Sequence, residues 1–181
     1  MRTLRPLPDV VKELLVALDA PARLVAHLRA VHDVAVELTD ALAARFPALA
    51  FDRAAVLYGA ATHDIGKVVH REELTGPGSR HEPAGEALLV ARGVAPDLAR
   101  FAGTHGSWTA PGTTVDDHLV SLADKVWKAK RVPDLEDLVT ARIAAACDIE
   151  RWEAFAGLDD ILDVIAAGAD DRLDYQARHP A

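Results

Sequence analysis

The chain has 181 residues, of which 50% are hydrophobic and 27% are charged, a composition typical of one folded globular domain. Its 20 Lys and Arg residues against 28 Asp and Glu residues give a net charge of -8, which argues against a general binder of nucleic acid or anionic membranes. The single cysteine, Cys147, cannot form an internal disulfide, and no apolar stretch reaches the roughly 20 residues that cross a membrane. We therefore expect one cytoplasmic domain over residues 1–181.

The spacing of apolar residues predicts helices and no strands. Alanine accounts for 35 residues and aromatic residues for only 5%, which favours closely packed helices. Apolar residues that recur at steps of three and four mark one helix face, beginning with Leu24, Leu28 and Val31. The predicted helices cover residues 23–45, 51–63, 80–92, 96–101, 115–130, 134–147 and 158–176. The expected fold class is therefore all-α, a single-domain helical bundle.

Two local signals predict helix ends. Gly66 follows the second predicted helix, where a glycine in the left-handed conformation stops a helix. Ser79 followed by Glu82 predicts a capping box at the start of the next helix. We expect a core of residues 20–130 with the acidic helices of residues 134–176 packed on it.

Several imidazoles and carboxylates occupy inward or helix-terminal positions. His27 shares a helix face with Leu24, and Asp124 lies on an inward stripe between Val120 and Trp127. A carboxylate buried without a partner is costly, so Asp124 needs a cation or strong donors. The adjacent His63 and Asp64 stand at a predicted helix end.

These side chains form the ligand set that suits Mn, Fe, Co, Ni or Zn, with no cysteine needed. His81 and His105 each lie beside a loop that contains glycine, and they could hold a second ion. The alternative for these two histidines is that they cap a helix or line a pocket. For His27 alone, a satisfied core histidine is the simpler interpretation.

Five segments together resemble the HD-domain phosphohydrolases. HLRAVHDVAVEL from His27 is similar to the first-ligand helix of that family, and ATHDIGK from Ala61 is similar to its central motif. RHEPAGEALL and THG resemble the segments that supply further histidines in two-metal members, and SLADKVWK resembles the last-ligand helix. The resemblance runs from about residue 20 to 130 and is greatest to compact stand-alone members with two metals.

The resemblance implies a ligand set of six residues and a role for each. Asp64 would bridge two divalent metal ions and is also expected to be catalytic, together with Lys67. The implied metal ligands are His27, His63, Asp64, His81, His105 and Asp124.

The implied activity is hydrolysis of a phosphate ester or anhydride of a small nucleotide-like substrate by metal-activated water. A single His105 before Gly106 replaces the paired histidines of the members that cleave cyclic di-GMP, which argues against that substrate.

Phosphoryl transfer needs positive charge around the transferred group. Candidate substrate-binding residues are Lys67, Arg80, Lys125 and Lys128. The alternative for Lys67 is a cation that satisfies helix-end carbonyls, and the alternative for the lysines after Asp124 is a solvated helix face.

Two other functions are compatible with the motifs. A metal-dependent nuclease uses a similar ligand order, although the net acidity counts against it. A non-catalytic nucleotide-binding module is the other alternative, and retention of every ligand position argues against it. The expected partner is a small phosphorylated substrate, with neither nucleic acid nor membrane, and self-association into a homodimer is left open.

Overall fold

The structure is a computed structural model that describes residues 3–181. Within that range the chain is helical, with no strand and with two short 3₁₀ turns at Ile65–Val68 and Arg71–Leu74. The all-α prediction is confirmed. The helices are α1 Asp9–Ala17, α2 Ala22–Arg45, α3 Arg53–Thr62, α4 His81–Ala91, α5 Pro96–Thr104, α6 Val115–Val126, α7 Pro133–Cys147, α8 Arg151–Ala166 and α9 Ala169–Ala177.

Helix α2 lies at the centre of the bundle. Fourteen of its 24 residues are buried, because α3, α6, α8 and α9 all pack against it. The larger apolar core lies between α2, α3, α6, α7 and α8, together with Phe101 of α5, and includes Leu38 and Trp127. A smaller core joins α1 and the start of α2 to α4 and α5. The candidate site lies between these two cores.

Side-chain caps fix the starts of α3 and α6. The carboxylate of Asp52 accepts a hydrogen bond from the backbone N–H of Ala55 at 3.0 Å. Thr114 and Asp117 form a capping box at the start of α6. Asp117 also accepts a hydrogen bond from the hydroxyl of Thr104 at 2.9 Å, so it ties the end of α5 to the start of α6.

The predicted helix over residues 158–176 is wrong in its bounds. It is two helices, α8 and α9, separated at Ala167 and Gly168, and α8 begins at Arg151 behind a capping box of Glu150 and Glu153. The break lets α9 turn back and pack against α2. The apolar spacing continues across the break, so periodicity alone does not reveal it.

Other predicted boundaries also differ. Helix α6 ends at Val126 rather than at residue 130, and Ala129 has a φ of 57°. Helix α1 was not predicted, although Val11 and Leu15 on one of its faces are buried. No helix of residues 3–181 has both the length and the apolarity to cross a membrane.

Neither predicted signal around the start of α4 holds. Gly66 is not in the left-handed region and lies within the first 3₁₀ turn. The Ser79 side chain does not cap α4, and the carboxylate of Glu73 instead accepts hydrogen bonds from the backbone N–H groups of Arg80 and His81, each at 3.1 Å. A carboxylate eight residues away replaces the local cap.

Candidate metal centre

Six side chains from five helices and one connection converge between the two cores. Each of the six is buried. They are His27 in α2, His63 at the end of α3, Asp64 just after it, His81 at the start of α4, His105 at the end of α5 and Asp124 in α6. These are the six residues that the sequence predicts as ligands, and the structure brings all of them together.

The first trio consists of His27, His63 and Asp124. The Nε2 atoms of the two histidines are 3.2 Å apart. Oδ1 of Asp124 lies 3.7 Å from Nε2 of His27 and 3.3 Å from Nε2 of His63. Three ligand atoms this close, one from each side chain, form a group that could hold one metal ion.

The second trio consists of Asp64, His81 and His105. Oδ1 of Asp64 lies 3.0 Å from Nε2 of His81 and 3.4 Å from Nε2 of His105. The other oxygen, Oδ2, lies 3.1 Å from Nε2 of His27. Asp64 therefore presents one carboxylate oxygen to each trio, which is the arrangement of a bridging ligand.

Hydrogen bonds on the outer side of two rings fix which nitrogen faces the centre. Nδ1 of His63 lies 3.0 Å from the carbonyl of Ala60, and Nδ1 of His105 lies 3.0 Å from the carbonyl of Ala102. A carbonyl only accepts, so Nδ1 carries the hydrogen and Nε2 of the neutral ring presents a lone pair.

The rings of the second trio meet in the same way. Nε2 of His81 and Nε2 of His105 are 3.5 Å apart, and both lie beside Asp64. Imidazole nitrogens that face each other and a carboxylate can share one bound cation. The donor set of imidazoles and carboxylates therefore fits divalent transition metals.

The surroundings of both carboxylates of the centre favour the ionised form. Burial by itself raises the pKa of Asp64 and of Asp124, but the surrounding histidines outweigh burial and hold both pKa values well below the ordinary range. For His81, burial lowers the pKa, whereas the carboxylates of Asp64 and Glu73 raise it, and the net shift is upward. The centre thus offers two carboxylates among its six side chains as ligands for a cation.

Glu73 is a residue of the site that the sequence analysis missed. Its Oε2 atom lies 2.6 Å from Nδ1 of His81, so the same carboxylate caps α4 and orients the ring of its first residue. Its side chain is buried, and hydrogen bonds from His81 and Arg80 lower its pKa despite the opposing effect of burial. No local motif marks this role, because the contact spans the loop before α4.

Gly66 allows α4 to approach the centre. A Cβ atom at this position would clash with the carbonyl oxygen of His81 and the backbone nitrogen of Gly85. These are backbone atoms that cannot rotate away. A glycine is therefore required here by close packing and not by its φ angle.

The four predicted substrate-binding residues differ in how close they lie to the centre. Nζ of Lys67 lies 2.5 Å from Oδ2 of Asp64, and Nζ of Lys125 lies 2.6 Å from Oδ2 of Asp124. Lys128 is exposed beside the Trp127 ring. Arg80 has a side chain that is 74% exposed and pairs with Glu72, so it lies outside the cavity next to the centre.

A cavity of about 250 Å³ opens beside the centre. His27 and Asp64 form its inner end, and Trp127, whose ring centroid is 5.0 Å from that of His27, forms part of its wall. Two residues of α9 belong to the rest of the lining, which consists of cations, apolar side chains and the amide of Gln176. These are Arg23, Leu24, Lys67, Leu74, Lys128, Leu173 and Gln176.

The HD domain family model matches residues 24–128, which is more than half of the chain. The chain belongs to the HD-domain family. This superfamily consists of metal-dependent phosphohydrolases, and the two trios of His and Asp residues fit a divalent metal centre. The resemblance drawn from the motifs is confirmed.

The match includes all six candidate ligands of this HD domain and leaves Arg23 and helices α7 to α9 outside. Neither the comparison with curated proteins nor that with solved structures finds a match.

Proposed function

We propose that the protein is a metal-dependent phosphohydrolase with two divalent transition-metal ions and a small nucleotide-like substrate, of which it cleaves a phosphate ester or anhydride. The observation that carries the proposal is the placement of Asp64, whose two oxygens face separate trios of ligands. A site for a single metal ion would need only one of these two trios. The metals are drawn from Mn, Fe, Co, Ni and Zn, which suit imidazole with carboxylate.

When bound, the ions supply an activated water as nucleophile and offset the charge of the phosphate. His63 and His105 keep their Nε2 atoms turned inward because backbone carbonyls hold the opposite nitrogen of each ring. Lys67 lies both at Asp64 and in the wall of the cavity, so its ammonium group is placed to contact a phosphate oxygen. Asp64 and Lys67 are thus the proposed catalytic residues.

Metal analysis together with a substrate screen tests this proposal. The purified protein is assayed for bound transition metals and then, with Mn, Fe, Co, Ni or Zn, against nucleoside phosphates, dinucleoside polyphosphates and single-stranded DNA. Turnover of the small phosphates with bound metal supports the proposal. Tight metal binding without turnover would favour a non-catalytic module, and a preference for long DNA strands would favour a nuclease.

Asp64→Asn is expected to lower turnover by at least about 100-fold, because an amide has one neutral oxygen where the centre needs two charged ones. Metal content per chain should fall in parallel, while the circular dichroism of the helices stays unchanged. The exposed Asp97 in the first turn of α5 provides the matched control Asp97→Asn, which should keep full activity and metal content. Wild-type activity and metal content in Asp64→Asn would show that the centre is elsewhere.

A further inference from the structure

The cavity beside the centre contains two kinds of cation. Lys67 is paired with Asp64 and so belongs to the metal centre itself. Arg23 and Lys128 lie in the same cavity wall. Within residues 3–181, neither side chain forms an ion pair or a hydrogen bond. Lys128 only approaches the face of the Trp127 ring, at 5.8 Å from the centroid.

Arg23 is held close to the centre by its position on α2. It precedes His27 by four residues, so the two side chains lie on the same face of the helix. Its backbone N–H donates a hydrogen bond to the carbonyl of Pro180 at 2.9 Å, which fastens the end of the chain over the start of α2. Nε of Arg23 is buried and has no partner within the described residues. The charge of this guanidinium is therefore left without a counter-ion at the cavity.

Helix α9 contributes part of the cavity wall. Leu173 and Gln176, three residues apart on one face, line it. The helix is fixed in place by Arg172, which is fully buried and donates hydrogen bonds to the carbonyls of Trp127, at 2.8 Å, and of Ile165. This wall lies outside the part of the chain that matches the family, so it is a feature of this chain in addition to the shared metal centre.

Two cations without counter-ions in the wall of one cavity favour an anionic ligand. The size of the cavity, about 250 Å³, is smaller than the roughly 300–1,000 Å³ of sites that enclose a drug-sized molecule. It suits a compact charged group of the substrate. Gln176 adds an amide that can donate to an oxygen of such a group.

We infer that Arg23, Lys128 and Gln176 form a subsite for a second anionic group of the substrate, next to the phosphate that is cleaved. This inference rests on the proposed function, and it narrows the substrate to phosphate compounds that carry a further phosphate or carboxylate a short distance away. Arg23 and Gln176 are then specificity-determining residues. Helix α9 selects the substrate and does not take part in the chemistry.

Binding of non-hydrolysable probes to the Mn-loaded protein tests the subsite. Methylphosphonate carries one anionic group, methylenebisphosphonate carries a second phosphonate, and phosphonoacetate carries a carboxylate instead. Calorimetry measures the Kd of each probe for the wild type. At least one of the two-group probes should bind at least about tenfold more tightly than methylphosphonate, because one additional charged hydrogen bond contributes a difference of that size. The better of the two identifies the second group as phosphate or carboxylate. Metal content is measured after each titration, since both two-group probes also chelate free Mn.

Arg23→Met should remove this preference and leave the Kd of methylphosphonate unchanged. Arg92→Met, at an exposed arginine outside the cavity, is the matched control and should keep the preference. Arg23→Lys, which retains the charge, should keep most of the preference for two-group probes. Lys128→Met should reduce this preference, and it provides a second test if Arg23→Met does not fold.

Three results would overturn the subsite. The wild type could show no preference for two-group probes, the preference could remain intact in both Arg23→Met and Lys128→Met, or these variants could lose affinity equally for all three probes. Because binding is measured without turnover, these results are independent of the substrate screen. A protein that prefers the two-group probes but hydrolyses nothing would contradict the proposed phosphohydrolase activity instead.

Discussion

Glu73 links the loop before α4 to the candidate metal centre. Its carboxylate meets both the backbone N–H and the ring Nδ1 of His81, so the helix start and the ligand ring are oriented by one side chain. Outer partners of this kind fix the tautomer of a ligand and raise its basicity. The chemistry of the centre therefore depends on a residue that is not itself a ligand.

Glu73→Gln is expected to weaken metal binding at the trio of Asp64, His81 and His105 by about 10- to 100-fold, because a neutral amide holds the His81 ring less firmly. Metal titration by calorimetry, with the number of ions per chain, measures the effect. Glu72→Gln, at the neighbouring residue whose side chain is 61% exposed, should bind metal like the wild type. Equal affinities in Glu73→Gln and Glu72→Gln would show that Glu73 only caps α4.

At the scale of the elements, the centre depends on how closely helix ends can approach one another. Helix α4 contributes His81 from its first residue and packs against both α5 and the 3₁₀ turn that contains Gly66. The contact is backbone against backbone at Gly66, which leaves no slack for a larger residue. The position of a ligand is here determined by the packing of an entire element.

Gly66→Ala should lower the free energy of unfolding by about 1–3 kcal/mol, because the new methyl group forces α4 away from the turn. Chemical denaturation measures this, and the same shift should weaken metal binding by moving His81. Gly103→Ala is the control within α5, since its methyl group would meet only the end of the flexible Glu86 side chain. A Gly66→Ala protein as stable as Gly103→Ala would contradict the assigned role of the contact.

On the scale of the whole molecule, charge is distributed unevenly. Residues 148–181 contain nine acidic residues and three arginines, so they hold -6 of the total net charge of -8. The part that bears the candidate ligands is close to neutral, and two of its carboxylates face the metal centre. The overall acidity therefore does not oppose binding of a small anion next to Arg23 and Lys128.

Buried histidines outside the centre should make the whole protein sensitive to acid. Burial lowers the pKa of His32 below 6.5, with Asp33 acting in the opposite direction and Arg5 and Arg53 adding to the decrease. Since the folded-state pKa is below the unfolded value, protonation favours the unfolded chain, and stability is lost as the pH falls through about 6.5.

The Tm of His32→Gln should therefore decrease less than the Tm of the wild type when the pH is lowered from 7.5 to 5.5. The comparison is made on metal-free protein, so that the ligand histidines contribute equally to both. His179→Gln, in the C-terminal tail, should show the wild-type loss of Tm. An identical pH dependence in His32→Gln and the wild type would show that His32 is not a source of the acid sensitivity.

The sequence predicted the fold class from apolar spacing, and its resemblance to the HD-domain phosphohydrolases implied the six candidate ligands. Both depend on short-range patterns: apolar spacing placed His27 and Asp124 on inward helix faces, and the adjacent His63 and Asp64 form a motif that is read without any tertiary contact. The metal-binding role of the six residues stays a prediction. The boundary between α8 and α9 could not be found in this way, because the apolar period continues through it.

Only the tertiary structure decided what surrounds those ligands. Glu73 reaches His81 across a loop, and the backbone of Arg23 meets that of Pro180. Helix α9 brings Gln176 to the cavity, although Gln176 is more than a hundred residues from Asp64 along the chain. Each of these contacts depends on how separate helices pack, and no local spacing encodes it. The physical reason is that ligand identity follows from the local chemistry of each residue, whereas the shape and charge of the cavity follow from long-range packing.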